Sequence, residues 1–83
     1  MKRDDIAELY PEALFLDPGY FDKAIIGVAN RINLTVVCYD ESKIIKLLMK
    51  HDKMDYDEAV EFFQFNILGS WVGENTPVYL EKL

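Results

Sequence analysis

The stretch DYDEAVEFFQFNILG, residues 55–69, decides the fold. Asp55 followed three residues later by Glu58 has the spacing of a capping box, with Asp in the place of Ser or Thr. The helix it opens runs through Ala59, Val60, Phe62, Phe63, Phe65, Ile67 and Leu68, and Gly69 is its stop. Those side chains cover most of the helix circumference. Such a helix is central to a core, or buries a second face against a partner. Asn66 falls inside this apolar run, and a buried amide costs about 1–3 kcal/mol unless its hydrogen bonds are met.

Working outward, Ile44, Ile45, Leu47 and Leu48 predict a preceding helix over 42–51, with Asp40 or Ser42 as N-cap. His51-Asp52-Lys53 interrupts it. Leu34 to Tyr39 is a β-branched apolar run and reads as a buried strand. Residues 22–32 admit two readings. Phe21, Ala24, Ile25, Val28 and Ile32 fit helical spacing, whereas Ala24 to Ala29 fits a strand with Asn30 to Asn33 as the turn. The hairpin is preferred, because an adjacent antiparallel partner satisfies the 34–39 backbone most simply. Downstream, Gly73 to Thr76 is a turn and Pro77-Val78-Tyr79-Leu80 a last strand, with proline at its first position. Residues 1–20 carry the weakest pattern: Ile6, Leu9 and Tyr10 fit one face of a short helix ended by Pro11, and Asp17-Pro18-Gly19 is a turn.

The expected fold is therefore α+β. It is a small antiparallel three-stranded sheet from residues 24–29, 34–39 and 77–80, covered on one face by helices 42–51 and 55–70. Eighty-three residues correspond to a single domain, 1–83, and 51 % hydrophobic composition excludes disorder. Cys38 is the only cysteine, which excludes an intrachain disulfide and fits a reducing, cytoplasmic setting. No apolar run approaches the ~20 residues of a membrane span, and Met1-Lys2-Arg3-Asp4-Asp5 lacks the apolar stretch of a signal peptide.

Fifteen acidic residues against nine basic ones give a net charge of −6. That disfavours direct nucleic-acid binding, which needs clustered cations. Lys43, Lys46 and Lys50 share one helix side and read as a solvated face. Asp52, Asp55, Asp57, Glu58 and Glu61 form an acidic group able to occupy a basic groove on another protein.

Catalytic patterns are weak. His51 suits a helix C-terminus, where a cation favours the dipole. One histidine and one thiol do not supply a zinc site, and Asp52, Asp55 and Asp57 lack the glycine of a calcium loop, so no metal or cofactor is expected. Ser42 and Ser70 sit in no nucleophile elbow, and the four glycines form no phosphate loop. Asp22 and Glu74, both beside expected strand ends, are the best carboxylate pair. A recognition pocket built from Asp22, Asn66, Trp71, Glu74 and Thr76 is the alternative chemistry, since one flat ring with several polar groups suits a planar ligand.

The runs FDKAIIGVANR, VVCYDESKIIKLLMK and MDYDEAVEFFQFNILGSWVGENTPVYL resemble a widespread family of small uncharacterised proteins encoded by tailed phages and prophages. The likeness spans roughly residues 10–80 and is most specific in EAVEFFQFN and GSWVGENTP. It implies a phage setting rather than a mechanism. The leading expectation is a non-enzymatic phage protein in the host cytoplasm. It binds and blocks a host factor, a defence nuclease or its complex, in the manner of an anti-CRISPR-like inhibitor, through Asp55, Asp57, Glu58 and Glu61. The alternative is a sponge that sequesters a nucleotide-type immune signal near Asn66, Trp71, Glu74 and Thr76. Self-association as a homodimer is expected to bury surplus apolar surface.

Overall fold

A computed structural model describes residues 3–82; Met1, Lys2 and Leu83, which the expected 1–83 domain and the N-terminal reading include, lie outside the described residues. The chain forms α1 (Arg3–Leu9), a 3-10 turn (Gly19–Ala24), β1 (Ile25–Arg31), β2 (Leu34–Asp40), α2 (Glu41–His51), α3 (Tyr56–Phe62), a π-helical continuation (Phe63–Leu68) and β3 (Val78–Leu80). The class is α+β, with one three-stranded sheet in the order β1-β2-β3.

Both readings of residues 22–32 had a physical basis. Phe21 and Ala24, at helical spacing, are buried in the 3-10 turn, and the chain becomes a strand only at Ile25. β1 then pairs antiparallel with β2 from Ile25↔Tyr39 to Arg31↔Leu34, interrupted by a bulge between Ile25 and Gly27. The strand therefore ends at Arg31 rather than residue 29, and the connecting loop is only Ile32-Asn33.

The expectation of an all-antiparallel sheet is corrected. β3 runs parallel to β2, in register Cys38↔Val78, Tyr39↔Tyr79 and Asp40↔Leu80. Residues 41–77, carrying two helices, form the long crossover that parallel strands require.

Asp40 is the N-cap of α2; its carboxylate accepts from the N–H groups of Ser42 and Lys43. Asp55 caps α3 in a complete capping box with Glu58. The helix expected to run unbroken over 55–70 widens at Phe63. Gly69 N–H donates to the Gln64 carbonyl at 3.1 Å, five residues back, as in a π-turn. Glycine suits this turn, since a Cβ there would lie 3.0 Å from the Gln64 carbonyl oxygen and 3.3 Å from that of Phe65, tighter than ordinary contact.

The core joins Val37 and Tyr39 of β2 with Ile44, Ile45, Leu47 and Leu48 of α2, Ala59 of α3, and Phe63 and Ile67 of the π-segment; Ile6, Phe21 and Ala24 complete it. Phe63 meets Tyr79 edge-on at 5.3 Å between centroids, and Tyr39 stacks on Tyr79 at 6.0 Å. The Tyr39 hydroxyl accepts from Leu16 N–H at 2.8 Å, which ties the N-terminal segment to the sheet.

Candidate recognition surfaces

Strand alternation divides the sheet. Val37 and Tyr39 enter the core, so Leu34, Val36 and Cys38 face the other way. By register, Ala29 and Arg31 of β1 lie beside Val36 and Leu34 on that outer face, and Val78 lies beside Cys38. The chain leaving the π-segment passes over it, so that Leu68, Trp71, Glu74 and Thr76 form the opposite wall of a groove of about 850 Å³. Val36 is buried there without belonging to the main core.

Of the five residues expected to make one ligand pocket, Trp71, Glu74 and Thr76 line this groove. The Thr76 hydroxyl is committed to the turn: it accepts from Val72 N–H at 2.9 Å and donates to the Gly73 carbonyl at 2.6 Å. Asp22 and Asn66 are elsewhere. Asp22 precedes β1 and pairs with Arg3 at 3.3 Å. Asp22 is not among the groove's lining residues, whose β1 members are Ala29 and Arg31. Asp22 and Glu74 therefore do not form a carboxylate pair. Asn66 is exposed rather than buried, because the buried stripe is Ala59, Phe63 and Ile67 and Asn66 stands one position off it.

Asn66 belongs to a second, shallower groove of about 470 Å³, lined by Met54, Glu58, Glu61, Phe62, Phe65 and Asn66. Positions 58, 61, 62 and 65 make a single outer stripe at helical spacing. Two of the four acids expected to bind a partner, Glu58 and Glu61, thus adjoin aromatic rings. Asp55 and Asp57 are exposed at the start of the same helix, Asp55 serving as its cap. Large apolar side chains are exposed on more than one side of this stretch: Phe65, 74 % exposed, lines the second groove, Leu68 and Trp71, the latter 73 % exposed, line the first, and Tyr56 and Val72 line neither.

Sequence reasoning missed Ile32, Leu34 and Val36 as groove residues, whereas Arg31, which the sponge reading offers with Lys23 as a phosphate donor, does line it. The signal was the alternation of β2, which separates Leu34 and Val36 from Val37 and Tyr39. Ile32 is 99 % exposed at the hairpin tip with φ +41°, a backbone region that β-branched side chains avoid.

Burial, and then the charge of Asp40, push the Cys38 thiol above its ordinary value, so it stays protonated at neutral pH. Burial alone would raise the Asp40 carboxyl, but hydrogen bonds from Ser42, Lys82 and Lys43 N–H hold it below its ordinary value. His51 stacks on Tyr20 at 4.1 Å, and the Tyr20 hydroxyl donates to Asp52 at 2.8 Å. Among the described residues, no three His, Cys, Asp or Glu side chains gather as a metal site needs, and no helix is long and apolar enough to cross a membrane. Comparison with protein-family models, with curated proteins and with solved structures returned no match to this chain.

Proposed function

We propose that this protein is a non-enzymatic binding module that works by occupying the surface of another protein. In the phage setting implied by the sequence resemblance, it acts in the host cytoplasm and the partner is a host factor, a defence nuclease or its complex. The observation that carries this reading is the exposed apolar series Tyr56, Phe65, Leu68, Trp71 and Val72 within an acidic stretch. Apolar groups that adjoin in the open mark an interaction site, as Leu68 and Trp71 do in the larger groove and Phe62 and Phe65 do in the smaller one.

The test is capture of partners by tagged protein from infected cells, followed by mass spectrometry. A partner retained by the wild type and lost with Trp71→Ala, or with Glu58→Lys/Glu61→Lys, is the expected result. Retention by every variant contradicts the proposal.

A second reading, a sponge for a nucleotide-type signal, is favoured by one feature: the larger groove places Trp71, Glu74 and Arg31 around one volume. Arg31 is the sole cation in that lining and would have to supply the phosphate contact. A tight ligand must raise the melting temperature, by mass action on the folded state. No shift across a panel of cyclic and NAD-derived nucleotides rejects this reading.

A further inference from the structure

We infer that the outer stripe of α3 and the π-segment docks a cationic amphipathic helix of a partner protein; this rests on the binding function proposed above and names the chemistry of its partner. The floor of the stripe is apolar: Met54, Phe62 and Phe65 line it, and Phe65 is 74 % exposed. Whatever covers those groups must itself be apolar at the centre.

The rim decides the rest. Glu58 and Glu61 border the floor, with Asp55 and Asp57 at the helix start. From Met54 to Leu80 the sequence holds no Lys, Arg or His. Asp55 and Glu58 are engaged by the backbone in the capping box, while Asp57 and Glu61 meet no cation within residues 54–80, so a complementary partner carries cations beside its apolar stripe.

A second copy of the chain would bring the same acids and a charge of −6 against them, which disfavours self-association through this face. The span from Glu58 to Phe65 is about 10 Å, two helical turns. It offers alternating anchors to a helix laid against it, the usual geometry of amphipathic helix recognition. Arginine suits the site better than lysine, since guanidinium both stacks on an exposed phenyl ring and forks onto a carboxylate.

The experiment uses the full chain and synthetic peptides, followed by amide chemical-shift changes. The probes are an amphipathic leucine–arginine helix, its leucine–glutamate counterpart, and an oligoarginine without leucine. Binding of the first peptide alone, with shifts over residues 54–66 and weakening on added salt, is expected. Phe65→Ala and Glu61→Lys each weaken it about tenfold or more; both positions are exposed, and circular dichroism checks that the variants fold. Equal binding of oligoarginine, indifference to Phe65→Ala, or no binding at all overturns the inference. So does sedimentation showing a dimer whose interface buries this stripe. Partner capture from cells that depends on Trp71 but not on Phe65 or Glu61 removes the helix site while leaving the broader binding function standing.

Discussion

Asp40 joins three duties in one carboxylate: it caps α2, accepts from the Ser42 hydroxyl at 2.9 Å, and pairs with Lys82 at 3.3 Å. Its lowered folded-state value means that the stability it contributes is complete above its ordinary value of 3.8 and disappears as pH falls through the lowered one. Asp40→Ala is expected to destabilise by about 1 kcal/mol at neutral pH. Asp40→Asn keeps a competent cap but flattens the acid limb of stability against pH; an unchanged limb in urea titrations excludes this role. Ile32 is the opposite case. Its positive φ costs about 1–2 kcal/mol, and at 99 % exposure its side chain recovers nothing from the fold. Ile32→Gly should therefore leave stability unchanged or raise it by up to about 1 kcal/mol, read from chemical denaturation. The cap of α3 was legible in the sequence because a carboxylate three residues before a glutamate acts locally, whereas that of α2 lay open between Asp40 and Ser42. The strained hairpin tip was not, since isoleucine gives no turn signal and Asn30 to Asn33 marked only a neighbourhood.

At the scale of elements, α3 and its π-continuation have two faces with different work. Phe63 is fully buried against Tyr79, and Phe63→Ala is expected to cost about 3–5 kcal/mol, loosening β3 with it. Phe65→Ala, at an exposed position, should stay within about 0.5 kcal/mol of the wild type. A comparable loss from both variants would mean that the two faces are misassigned. The sequence marked this segment as too apolar for a one-sided helix, which is what the exposed Phe65 and Leu68 display. It did not reveal the π-turn, because Gly69 reads in sequence as an ordinary helix stop and its close approach to the Gln64 and Phe65 carbonyls shows only in the structure. Asn66 was misplaced on that account: counting along an ideal helix put it among buried neighbours. The direction of β3 was illegible for a different reason. A short strand after a long crossover can pair either way, and only the path of residues 41–77 decides.

For the whole molecule, the composition allowed one α+β domain, and the described residues form a single core in which α1, α2, α3 with its π-continuation and the sheet meet. The recognition tail was partly legible, for Trp71, Glu74 and Thr76 do share a groove, whereas Asp22 was placed by its adjacency to a strand whose far end carries the site. What makes the account one of binding is the distribution of apolar side chains that the core leaves outside, beside acids without nearby cations in sequence. The measurement that tests this most directly is quantitative capture of a host partner from infected cells by four proteins: wild type, Phe65→Ala, Trp71→Ala and Glu58→Lys/Glu61→Lys. A stoichiometric partner held by the wild type and released by the substitutions is predicted. Equal recovery of that partner by all four contradicts the account.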